Sequence, residues 1–153
     1  GAFAIACALQ KNTALISLDL EYNSIQNEGA TAIADALQEN TTLTSLDLSA
    51  NIIQQEGAMA IADALQENTT LTSLNLSEND IQQEGASYIA KTLTYNPTLM
   101  HLRVNYDHNH SLDYKFKITF QNLHSLLNIL IGEDGAQVLG LAFQIKSWNI
   151  RLV

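Results

Sequence analysis

Cysteine and proline are almost missing from this chain, with one of each in 153 residues. A single thiol, Cys7, cannot close a disulfide within the chain, so nothing in the fold depends on an oxidising compartment. A cytoplasmic setting is the default expectation. Positive charge is also scarce: 7 Lys and Arg stand against 16 Asp and Glu, for a net charge of −9. That balance opposes phosphate backbones and anionic lipid heads, because binding would concentrate like charge. Nucleic acid and membrane surfaces are therefore not the expected partners. Long apolar runs are lacking as well. The longest, "LLNILI" at 126–131, falls far short of the roughly 18 residues a membrane helix needs. Gly1 opens the chain without an initiator methionine or a basic and apolar leader, which leaves targeting unread.

What is present is a folded composition, 46% apolar and 15% charged, written in a repeating pattern. "NTTLTSLDLSANIIQQEG" at 40–57 returns at 68–85 as "NTTLTSLNLSENDIQQEG", with changes only at Asp47/Asn75, Ala50/Glu78 and Ile52/Asp80. Leu15, Leu43, Leu71 and Leu99 are spaced by 28, and each opens the pattern L-x-x-L-x-L-x-x-N-x-I. The pattern is complete from Leu15 to Ile25, Leu43 to Ile53 and Leu71 to Ile81. It fails in the fourth copy at Asp107 and Asn109. Repeats of this length cannot bury their own apolar faces and must stack on their neighbours.

Each unit has two periods. "SLDLS" at 45–49 alternates polar and apolar residues, as a strand with one buried face does. "GAMAIADALQEN" at 57–68 puts Ala58, Ile61, Ala62 and Leu65 on one helical face. Gly1, Gly29, Gly57 and Gly85 are expected to open the helices, where close approach or unusual dihedrals exclude a Cβ. Asn12, Asn40, Asn68 and Asn96 are expected to end them in the left-handed region, with Pro97 just beyond. Asn23, Asn51 and Asn79 follow the strands, where an amide can donate to and accept from main-chain groups that stacked turns bury.

These units resemble leucine-rich repeats, specifically the 28-residue, ribonuclease-inhibitor-like subclass with an α-helix on the convex side. That group includes ribonuclease inhibitor, a GTPase activator, tropomodulin-like caps, immune sensors and effectors of intracellular bacteria. The resemblance implies an α/β leucine-rich-repeat solenoid: a right-handed β-α superhelix in a horseshoe arc, with a parallel concave sheet and convex helices. It covers residues 1–107, beginning mid-repeat at a helix. Residues 108–153 are expected to form an aberrant repeat and a C-terminal cap. There "DYKFKITF" would be an extended segment, "IGEDGAQVLGLAF" an echo of the helix, and Trp148 a seal on the last unit. The mid-repeat start suggests a fragment of a larger scaffold, sensor or bacterial effector (the last in a host cytosol), or an uncapped end open to self-association.

By the same resemblance the activity is binding of a protein on the concave face, not catalysis, and no cofactor is expected. Side chains alternating with the buried leucines should project there: Ser17, Asp19 and Glu21; Ser45, Asp47 and Ser49; Ser73, Asn75 and Ser77; His101, Arg103 and Asn105. Tyr22, Ala50, Glu78 and Tyr106 stand at the strand exits. The candidate contact residues are Arg103, His101, Tyr106, Asp19, Glu21, Asp47, Asn75, Glu78 and Tyr22. They grade from acidic to basic along the stack, and electrostatic steering favours a basic partner. The bland alternative is a solvated sheet face.

Other functional classes find less support. "DHNHSLD" at 107–113 offers His108 and His110 between Asp107 and Asp113, but two imidazoles at this spacing in a loop, with His124 remote, read as a polar loop before a metal site. Cys7 shares its helical position with Asp35 and Asp63 and should be exposed. No glycine-rich phosphate loop or Ser-His-Asp set can be assembled. Two alternatives stay beside the binding module: a regulator of a small GTPase, carried only by the resemblance, and a structural or assembly unit.

Overall fold

The computed structural model describes residues 1–93, 96–104 and 116–119. Four helices alternate with strands: α1 (Ala2–Lys11), β1 (Ser17–Asp19), α2 (Gln26–Glu39), β2 (Ser45–Asp47), α3 (Gln55–Glu67), β3 (Ser73–Leu76), α4 (Gln82–Leu93), β4 (His101–Val104) and β5 (Phe116–Thr119). The strands form one sheet in chain order, β1-β2-β3-β4-β5. β1 to β4 pair in parallel with a register shift of one repeat, so that Leu18, Leu46, Leu74 and Leu102 lie side by side. The expected repeat solenoid is what the chain forms.

The alternation of the strands decides which face is buried. Leu46, Leu74 and Leu102 are at most 1% exposed, while their strand neighbours are half-buried or exposed. They meet Ile33, Leu37, Ile61 and Leu65 from the helices in one continuous core. Each such side chain contributes about 1.5–3 kcal/mol of transfer free energy. Leu18 is only half-buried because β1 has a strand neighbour on one side alone.

Three expectations need correction. Gly1 does stand at the start of α1, but Gly29, Gly57 and Gly85 do not open their helices, which begin two to three residues earlier, at Gln26, Gln55 and Gln82. No special dihedral explains them either. A Cβ at Gly57 would stand 2.8 Å from Asn27 Oδ1, 2.9 Å from Ile53 Cγ2 and 3.0 Å from Ala30 Cβ. Glycine is there because the preceding helix comes too close for anything larger.

The helix-end asparagines are not left-handed. Asn40 (φ −76, ψ 127) and Asn68 (φ −73, ψ 122) are extended, and their side chains do the work. Asn40 Nδ2 donates to Leu9 O and Asn12 O, one unit back, while its Oδ1 accepts from Thr42 N and Leu43 N. Asn68 and Asn96 repeat the arrangement. This is an asparagine ladder at the entry to the sheet. A second ladder at the strand exits is the one expected. Asn51 Nδ2 donates to Leu20 O (2.8 Å) and Ser49 O (3.0 Å), and its Oδ1 accepts from Asn23 N (2.8 Å) and Ile25 N (3.3 Å). Asn79 serves Leu48 O, Asn51 N and Ile53 N in the same way.

The sheet is not parallel throughout. β5 pairs with β4 in antiparallel fashion, with Arg103 opposite Lys117 and His101 opposite Thr119. It falls within the segment expected to be extended. The rest of 108–153, including the cap, Trp148 and the echo helix, lies outside the described residues, as do His108, His110 and His124.

Candidate functional site

The open face of the sheet is built by the same alternation that buries the leucines. With every second residue committed to the core, Ser17 and Asp19, Ser45 and Asp47, Ser73 and Asn75, and His101 and Arg103 are left facing outward. The register aligns them into two rows across the strands. One reads Ser17, Ser45, Ser73, His101, Thr119, and the other Asp19, Asp47, Asn75, Arg103, Lys117. A shallow groove of about 370 Å³ runs over β2, β3 and β4 between Asp47 and Arg103.

Several candidate residues are held by one another. Asp47 Oδ1 accepts from Ser49 N (2.8 Å) and Ser49 Oγ (2.5 Å), and its Oδ2 accepts from Asn75 Nδ2 (2.8 Å). Asn75 Oδ1 in turn accepts from Ser77 N and Ser77 Oγ. Ser49 is only 3% exposed, so it does not project from the face as the alternation suggested. Its hydroxyl is instead held against Asp47. Asp19 Oδ1 accepts from the Glu21 N–H at 3.0 Å. Tyr22 and Glu78, although 56 residues apart, meet across the small Ala50, with the Tyr22 hydroxyl donating to Glu78 Oε2 at 3.2 Å. That bond, with the Glu78 and Glu21 charges, raises the Tyr22 phenol above its ordinary value of 10.0, because the phenolate would lose the bond and face carboxylates.

His101 and Arg103 differ from the rest. Arg103 is exposed, and among the described residues no hydrogen bond or ion pair engages its guanidinium. His101 is half-buried, and its Nδ1 is buried without a hydrogen-bond partner. Tyr106 and Asn105 lie outside the described residues.

A model of the leucine-rich repeat matches the chain at residues 11–34, 39–62 and 67–90. The fold is a leucine-rich-repeat solenoid. No curated protein matches the chain significantly. Among solved structures, actin-binding site 2 of leiomodin-1 is similar, with 34% identity, a TM-score of 0.64 and 71% of this chain covered. The chain spans 63% of that leiomodin-1 chain. The C-terminal domain of tropomodulin from Caenorhabditis elegans is similar in fold, with a TM-score of 0.70, 11% identity, and coverage of 99% of this chain and 83% of that one.

On the helical side of the leucine-rich repeats, polar contacts also bridge units. Asn27 Oδ1 accepts from Gln54 N (2.8 Å) and Gly57 N (3.1 Å), satisfying the start of α3 from the neighbouring helix. The Tyr88 hydroxyl donates to Asp63 Oδ1 at 2.7 Å, which raises that phenol too. Cys7 is exposed, as its shared position with Asp35 and Asp63 indicated. No described helix is long and apolar enough to cross a membrane. Among the described residues, no three side chains of metal-ligating type converge.

The alternating strands made the open face readable from sequence. The partnered state of Asp47, Asn75, Tyr22 and Glu78 was not, because those bonds join residues 28 and 56 positions apart. The spacing of the repeat was the available signal, since Tyr22 and Glu78 occupy equivalent positions in the first and third units.

Proposed function

We propose that this chain is a non-enzymatic protein-interaction module that docks a partner across the open face of its sheet. The observation that supports this is the division of labour along each strand. Leucines and asparagines hold the stack, whereas the side chains of Asp19, His101 and Arg103 are displayed on the face and bond no neighbouring unit among the described residues. The 28-residue unit with a helix opposite the sheet supports the ribonuclease-inhibitor-like subclass. Asp19 and Glu21 make the β1 end of the face acidic, suited to a basic segment of the partner. Asp47 and Asn75 set the floor between the ends.

Actin is the first partner to test, because the leiomodin-1 region that is 34% identical is an actin-binding site. Monomeric and filamentous actin are titrated with the wild-type chain and with Asp19→Ala/Arg103→Ala, with folding monitored by circular dichroism. The expected result is saturable binding that the double variant weakens at least fivefold. Undiminished binding by a folded double variant would move the site off this face. Absence of binding to either form of actin would remove actin as the partner.

A further inference from the structure

Three features of the open face converge. The row Asp19, Asp47, Asn75, Arg103, Lys117 passes from two acids through a neutral amide to two bases, one residue per strand, in an acidic protein with only 7 basic residues. Asp19 and Asp47 occupy directly paired positions at one end, an arrangement that costs stability in a sheet unless something neutralises it. The acidic end is partly relieved inside the protein, since Asp47 accepts three hydrogen bonds from Ser49 and Asn75. No such relief reaches the Arg103 guanidinium from the described residues, and beside it His101 Nδ1 is buried with no partner. The basic end therefore carries charge and hydrogen-bonding capacity that the described fold does not use.

We infer that the face recognises an extended, bipolar protein segment laid across the strands, with a carboxylate-bearing end at His101 and Arg103 and a cationic end at Asp19 and Glu21. This inference rests on the docking-face reading above and adds the chemistry and spacing of the bound segment. The four strands from β1 to β4 are separated by about 4.8 Å each, so the ends lie about 14 Å apart. An extended chain advances about 3.3–3.6 Å per residue, which puts the bases and acids of the segment about four residues apart. The neutral Asn75 at the centre attracts neither end, so the charges of the segment set its position.

Three fluorescein-labelled seven-residue peptides test this against the whole chain by fluorescence anisotropy. One carries two lysines and two glutamates separated by three glycines and serines, one carries lysines at both ends, and one carries glutamates at both ends. The bipolar peptide is expected to bind at least tenfold more tightly than either of the others. Arg103→Ala should weaken it at least fivefold while leaving the all-lysine peptide unchanged, and 0.5 M salt should abolish the preference. If the all-lysine peptide binds as well as the bipolar one and loses affinity with Asp19→Ala, the docking face stands and the bipolar inference falls. If no peptide binds, or if binding ignores both substitutions, the inference is overturned. The actin titration then judges the face by itself.

Discussion

Replacing Asn51 with alanine removes four hydrogen bonds from a residue that is 0% exposed. The loss is not four equal parts. Asn23 is exposed and its N–H can turn to water, and Ser49 O still accepts from Tyr22 N. Leu20 O and Ile25 N lie in residues 6% and 8% exposed and are left without this partner. Two buried main-chain groups stranded at about 1–3 kcal/mol each give a destabilisation of about 4 kcal/mol. Against the roughly 5–15 kcal/mol that a domain has in total, that is a large fraction. Asn23 provides the internal control. It holds the equivalent place in the first unit but makes a single side-chain bond, to Glu21 O, at an exposed site. Asn23→Ala should cost no more than about 1 kcal/mol. Urea unfolding followed by circular dichroism would separate them. For a slope of about 2 kcal/mol per molar, Asn51→Ala lowers the midpoint by about 2 M and Asn23→Ala by less than about 0.5 M. Asn51→Asp should be at least as damaging as Asn51→Ala, since a carboxylate cannot donate to Leu20 O and brings charge into a buried site. Equal midpoints for Asn51→Ala and Asn23→Ala, with equal slopes, would refute the idea that the amides hold neighbouring units together.

Gly57→Ala should lower stability by about 1–3 kcal/mol, because the new methyl group meets Asn27 Oδ1, Ile53 and Ala30 within 3.0 Å; a thermal melt unchanged from wild type would count against close helix packing at this point. The phenols of Tyr22 and Tyr88 titrate above 10.0, so their contribution to stability is whole below about pH 10 and is lost as pH rises through the raised values. Absorbance at 295 nm should show a late-ionising fraction that Tyr22→Phe and Tyr88→Phe remove one after the other.

Much of the fold was readable because it depends on local order. The strand period fixed the inward leucines, the helical period fixed Ile61 and Leu65, and the spacing of 28 fixed the partner of each strand. The expected conformations failed where a residue answers to another unit. Gly57 looked like a helix start, but Asn27 of the previous unit satisfies the N–H groups there, so α3 begins at Gln55. Asn40 looked like a left-handed exit, but its amide is drawn to Leu9 O across the stack and the backbone stays extended. Ser49 looked like a surface residue, but it is buried with its N–H and hydroxyl held by Asp47. For the open face, sequence supplied the membership of the rows, while the bonds that occupy Asp47 and Asn75 needed three dimensions.

The asparagine ladders are directional: Asn40, Asn51, Asn68 and Asn79 each serve main-chain atoms of the unit before them. A unit thus completes its predecessor and is itself completed by its successor. Beginning such a stack leaves a spare side-chain amide and the outer edge of β1 to hydrate. Stopping it is dear, because whatever unit comes last would hand bare carbonyls and amide hydrogens to the outside, and some different kind of segment has to shelter them.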